Sequence, residues 1–238
     1  MEIKAKGNGL KKLLKSPLIK NSLILALITL VAGILLGGIY EITKEPRQKQ
    51  HEIAKNNAYK AVFENNEAFK DIDISKLEFE EIDLDTLTNL NDLLEKNGLS
   101  GKAVIDSCVK AIDKENNIVG FVINVTAKTG YGGDISFSVG YQHNMMVTGI
   151  SILSISETPG LGMKAKEASF LNQYTNKTGR FVVDKDNSAG KDNQIDSISG
   201  ATITSRAMTD GVNAANVAME CIISGSDSSV NGGETGND

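Results

Sequence analysis

From Ser22 to Tyr40 the chain reads SLILALITLVAGILLGGIY, 19 residues without a single charge. At 1.5 Å of rise per residue, a helix of that length spans about 28 Å, close to the roughly 30 Å hydrocarbon core of a bilayer. A domain of this size seldom buries a helix on every side, so a core helix is a poor account of it. A cleaved export signal is the nearer competitor, since Ala32-Gly33 supplies small residues, but such a signal's apolar core runs only about 7–15 residues. Residues 21–40 are therefore read as an uncleaved transmembrane helix. Ahead of it, residues 1–20 carry Lys4, Lys6, Lys11, Lys12, Lys15 and Lys20 against one acid, Glu2. That basic start places the N-terminus in the cytoplasm and everything after Tyr40 on the outer face of the cytoplasmic membrane.

The rest of the chain is acidic, because the whole still carries a net charge of −5 at pH 7 despite its basic start. That balance argues against nucleic acid as a partner. The absence of tryptophan and the few other aromatics argue against a stacking platform for bases or sugars. The two cysteines, Cys108 and Cys221, are too few for a disulfide framework and lack metal-ligand spacing. Both fall in apolar patterns, where a thiol serves as a small hydrophobe; a single disulfide in an exported domain stays open. His143 sits in a predicted turn and His51 is remote from it, so no metal site is expected.

Residues 41–100 read as a helical linker region. A polar helix with Ile53, Ala54, Ala58, Ala61, Val62 and Phe69 at helical spacing leaves the membrane and packs weakly on the domain. Two acidic, leucine-spaced pieces then run to Asn97-Gly98, a helix stop signal. From 101 to 223 the pattern is that of an α+β domain: an antiparallel sheet with packed helices. AVIDSCVKAID and IVGFVINVTAK flank the turn KENN as one hairpin, and DISFSVGY and MMVTGISILSIS flank QHN as a second. Alternation at Ile135, Phe137 and Val139 predicts one buried sheet face. A helix from about Met163 to Tyr174, the short strand RFVVD and a final helix to Ile223 complete the domain. The Ser/Gly/Asp-rich residues 224–238 are expected to be a disordered tail.

Three glycine loops are candidates for chemistry. The first, DSISGATITS, opens the final helix, whose Ala207, Gly211, Ala214, Ala215, Ala218 and Ile222 form one small-residue face suited to lying against a sheet. Ser199 and Gly200 permit a sharp turn there, and Thr202, Thr204 or Ser205 can cap. Free N–H groups at such a start equally suit an anion, above all a phosphate; these residues alone leave both readings open. The second is ETPGLG, where Thr158-Pro159-Gly160-Leu161 has the proline and glycine of a type II turn. The third is KTGYGGD, with Tyr131 available to stack. Three such loops beside a small sheet fit a ligand pocket.

DSISGAT resembles the flavin-attachment motif of FMN-binding domains, in which an acidic residue precedes a Ser/Thr-Gly-Ala-Thr run. In that family the last threonine is esterified to the phosphate of FMN. YGGDISFSVGY and ETPGLGMKAKEASF resemble the family's two other blocks, in the same order. Behind a single anchor, the chain over residues 18–223 resembles the G-type subunits of Rnf ion-translocating electron-transport complexes. The resemblance implies a covalent FMN on Thr202, with Ser199, Gly200, Ala201, Thr204 and Ser205 around the attachment point. It implies recognition of Asp196 by a flavin transferase, and ring contacts from Glu157, Thr158, Gly160, Leu161 and Gly162. It further implies a redox-relay role beside the complex's membrane, iron–sulfur and flavin subunits, with no catalytic acid–base pair in this chain. Those complexes pass electrons from ferredoxin to NAD and export sodium or protons. The C-type subunits of sodium-pumping NADH:quinone reductases share anchor, domain and motif. A non-redox anchored sensor domain, in which SGAT merely caps a helix, is the alternative of another class.

Overall fold

The computed structural model describes residues 17–64, 66–184 and 193–230; Lys4 to Lys15 and residues 231–238 of the expected tail lie outside them. The chain divides after Ile53 into two units. The first is formed by helix α1, which runs from Pro17 to Ala61 and so also enters the second unit. Proline opens this helix without cost, because the first turn has no use for its missing N–H. Within α1, Asn21–Tyr40 is long and apolar enough to cross a membrane, with a mean hydropathy of 2.5 and none of it buried.

The second unit centres on a five-stranded antiparallel meander, β1 (Glu78–Ile82), β2 (Ala103–Ile112), β3 (Ile118–Ala127), β4 (Ile135–Tyr141) and β5 (Val147–Ser154), hydrogen-bonded in that order. Both expected hairpins are present, as β2–β3 and β4–β5. Between β1 and β2, helix α2 (Leu90–Lys96) ends at Gly98, whose φ of +68° closes a Schellman cap: Leu99 N–H donates to Leu94 O at 2.8 Å and Gly98 N–H to Glu95 O at 2.9 Å. After β5 come a 3-10 turn at Gly162–Lys166 and the short helix α3 (Ala168–Leu171). The parallel pair β6 (Val182–Asp184) and β7 (Gln194–Asp196) leads to helix α4 (Thr202–Val230).

Both faces of the sheet are covered, not one. Ile135, Phe137, Val139 and Tyr141 join the small-residue face of α4 in the larger core. Gly211 is glycine because a Cβ there would meet Phe137 Cζ at 2.6 Å. On the opposite face Tyr59, Val62 and Phe63 pack with Phe69, Val109 and Val122. Asn124 of β3 bridges this side, donating to Tyr59 Oη at 2.5 Å and Ser107 Oγ at 2.7 Å while accepting from Ser138 Oγ at 2.6 Å.

Three boundaries differ from expectation. Residues 41–100 are not wholly a helical linker, since they contain β1, paired in register with β2. As an edge strand, β1 keeps its acids outward, and Glu80 meets Lys110 across the pair at 3.0 Å. The helix expected over 163–174 is broken at Glu167, whose extended backbone separates the 3-10 turn from α3. The final helix continues past Ile223 to Val230.

Candidate functional site

A cavity of about 540 Å³ is lined by Tyr131, Glu157, Thr158, Leu161, Gly162 and the stretch Gly200–Thr204. The three loops singled out by their glycines thus converge on one place. The β3–β4 loop brings Tyr131, the segment after β5 brings 157–162, and the turn into α4 brings 200–204.

The turn into α4 is built by local bonds. Ala201 N–H donates to Ile198 O at 2.9 Å, and Gly200 takes φ +75° to make the bend. Ser205 closes it: its hydroxyl accepts from Ile198 N–H at 2.9 Å and donates to Ala201 O at 3.1 Å. The first N–H bonding back along the helix is that of Ser205, to Ala201 O at 3.0 Å. The N–H groups of Thr202, Ile203 and Thr204 therefore have no partner along the helix. No side chain from an N-cap position serves them, because that position is Ala201.

Three hydroxyls on this first turn fare differently. Ser205 is fully buried and spent on the turn, and Thr204 donates to Glu157 Oε2 at 3.1 Å. Thr202, half-buried and lining the cavity, has no hydrogen-bond partner for its hydroxyl among the described residues. The unfilled N–H groups, their helix dipole and a free hydroxyl stand together at this end of the cavity.

Thr158–Leu161 forms the expected turn, with Gly160 at φ +76° and Leu161 N–H donating to Thr158 O at 3.2 Å. Just beyond it, Gly162 leaves no room for a side chain: a Cβ would stand 2.6 Å from Glu157 Oε2 and 2.7 Å from Thr204 Oγ1. Leu161 reaches over Gly200, with Cδ2 3.1 Å from where a Cβ would be. Apolar surface rims the cavity where Tyr131, Leu161 and Ile203 are exposed.

Residues 130–216 match the family described as the FMN-binding domain. Every residue lining the cavity falls inside that span. The chain is 38% identical over 105 residues to the G subunit of a Na(+)-translocating ferredoxin:NAD(+) oxidoreductase complex from Acetobacterium woodii, covering 43% of this chain and half of that one. It is 30% identical over 200 residues to the G subunit of the ion-translocating oxidoreductase complex of Aliivibrio fischeri, covering 81% of this chain and 86% of that relative. The chain belongs to the family of G subunits of ion-translocating oxidoreductase complexes. Among solved structures, it is similar to the C subunit of the Na(+)-translocating NADH-quinone reductase of Parabacteroides distasonis, at 17% identity and TM-score 0.49, covering 74% of this chain and 94% of that one.

The cavity suits FMN on its own terms. Its volume lies within the roughly 300–1,000 Å³ usual for small-molecule sites. Its apolar rim fits a flat ring, and the open helix N-terminus fits a phosphate. Of the residues the sequence pointed to, Tyr131, Glu157, Thr158, Leu161, Gly162, Gly200, Ala201, Thr202 and Thr204 line it. Ser199, Gly160, Ser205 and Asp196 do not. Ser199 and Gly160 are exposed beside it, while Asp196 ends β7, its N–H donating to Gln173 Oε1 at 2.7 Å. Ile203 is a lining residue that sequence reading missed. The available signal was an isoleucine on the otherwise polar helix stripe of Arg206 and Asp210.

Cys108 and Cys221 are free thiols. Burial pushes the Cys108 thiol up to about 12, so it stays protonated within the core. His143 is exposed in its turn, bonding Ile118 O at 2.7 Å and packing edge-on against Phe121.

Proposed function

We propose that this chain is a membrane-anchored electron relay holding FMN as a phosphate ester on Thr202. The observation carrying this reading is the state of that threonine: an uncommitted hydroxyl on the first turn of α4, facing the cavity beside N–H groups with no helical partner. An ester at Thr202 Oγ1 leaves one negative charge on the phosphate, and the helix start supplies donors and a favourable dipole for it. When bound, the flavin supplies one-electron redox chemistry; the protein supplies its position and electrostatics. Leu161, Ile203 and Tyr131 offer apolar and aromatic surface to a ring, and Thr158 and Glu157 offer polar atoms at its edge. Asp196 belongs to the attachment motif as the acidic residue read by the flavin transferase that makes the ester. The remaining partners are the other subunits of an Rnf-type complex and the lipid around residues 21–40.

The test is mass spectrometry of denatured protein. The peptide containing Thr202 should be heavier by one FMN less one water. Thr202→Ala should remove that mass and the yellow colour at a stability cost of about 1 kcal/mol or less, since at most a minor capping interaction is lost. Flavin persisting on the denatured alanine variant would overturn the attachment point.

A further inference from the structure

We propose that Glu157 is the positioning residue of the cavity: its buried carboxylate pins the three lining segments together and sets a negative charge against the ring site. Glu157 is only 6% exposed. Its Oε1 accepts from Gly132 N–H at 3.2 Å, and its Oε2 accepts from Thr204 Oγ1 at 3.1 Å. One side chain therefore ties the β3–β4 loop and the first turn of α4 to its own segment. Gly162 clears space for it, because a Cβ there would stand 2.6 Å from Oε2; one on Gly130 would also come within 2.9 Å of Oε1, though it meets Gly133 O first. No lysine or arginine pairs with it among the described residues. A buried acid is ordinarily matched by a cation, because desolvating an unpaired charge is costly. Here its partners among the described residues are neutral donors, Gly132 N–H and Thr204 Oγ1, with the start of α4 beside it and no cation opposite.

The consequence for electron transfer, which rests on the flavin reading above, is that the carboxylate opposes adding an electron at the ring and holds the potential down. The pinning does not depend on that reading. Both are tested in the full-length, detergent-purified chain with Glu157→Gln and Glu157→Ala. Glutamine keeps the shape and an acceptor oxygen but removes the charge; alanine removes both. Glu157→Gln should leave amide exchange at two hydrogen-bonded reporters, Gly132 and Ser205, within about twofold of wild type. It should favour one-electron reduction by about tenfold, an upward shift of about 59 mV. Glu157→Ala should speed exchange at both segments by about tenfold or more. Unchanged exchange in the alanine variant overturns the pin, and an unchanged potential in the glutamine variant overturns the charge role. If alanine prevents folding, a Gln variant that folds with its exchange pattern intact supports the pin, and one with loosened segments overturns it. A wild-type Thr202 peptide without flavin mass sinks the attachment reading instead, and the exchange data still decide the pin.

Discussion

Gly160 stands at φ +76° with open space around any added Cβ, whereas Gly162 has ordinary backbone and no room for one. Proline and glycine in Thr158-Pro159-Gly160-Leu161 make the first of these legible in sequence. The second is not, because what forbids a side chain at Gly162 is the Glu157–Thr204 hydrogen bond, closed by a residue 47 positions from Glu157. The two positions therefore respond differently to alanine. Gly160→Ala should cost about 1 kcal/mol of thermal stability through left-handed strain, leaving the potential of bound flavin unchanged. Gly162→Ala should cost about 1–3 kcal/mol by overpacking, and by pushing Glu157 off Thr204 should also move the potential. Paired thermal melts and redox titrations check this; equal behaviour of the two variants would contradict it. The same logic divides the hydroxyls of the first turn of α4. All three read alike as capping residues, yet Ser205 and Thr204 are consumed by neighbours and Thr202 is left facing the cavity.

The elements that hold this site differ in how far their packing is visible in sequence. The sheet-facing side of α4 follows a helical period, so its alanines and Gly211 announce a helix lying close to something flat. The opposite face gives no such notice. Gly120, Gly140 and Gly149 look like scattered strand glycines, but the antiparallel register pairs Gly140 directly with Gly149. Together the three leave a gap that receives the chain just after α1. A Cβ on Gly140 would meet Val62 Cγ2 at 2.5 Å, one on Gly149 would meet Val62 O at 2.8 Å, and one on Gly120 would meet Phe63 Cε1 at 2.9 Å. The segment expected to pack weakly is instead seated in the sheet. Gly140→Ala should thus cost about 1–3 kcal/mol by overpacking, and Val62→Ala about 2 kcal/mol by leaving a cavity. The double variant should recover about 1 kcal/mol relative to their sum, because loss of Val62 Cγ2 removes one of the close contacts of the new methyl, leaving Thr148 Oγ1 and, at 2.8 Å, Cβ of residue 62. Denaturant unfolding of the four proteins measures the coupling; strict additivity would show that the gap does not fit Val62.

At the scale of the whole molecule, the division of charge about residues 21–40 predicts topology. Six lysines precede the span and an acidic domain follows it, so protease added to cells stripped of wall or outer membrane should digest the domain after Tyr40 and spare the N-terminus. Protection of that domain until lysis would reverse the orientation. The span, the two hairpins, the Gly98 helix stop, the Gly160 turn and the small-residue face of α4 were all determined by the sequence itself. Each rests on local chemistry: a run without charge, an alternation, a proline or glycine at a fixed offset. β1 was hidden because an acidic edge strand buries little and carries almost no alternation. The break at Glu167 was hidden because nothing in its neighbours forbids helix; Tyr174 beyond it is fully buried, bonded to Thr209 at 2.7 Å. Only the tertiary structure decided that three glycine loops make one cavity and that Glu157 joins them. Its two partners lie 25 and 47 residues away in the chain. Which donor a buried carboxylate finds, and where a Cβ has no room, depends on strand register and on the return of α4 across the sheet. No local pattern encodes those distances.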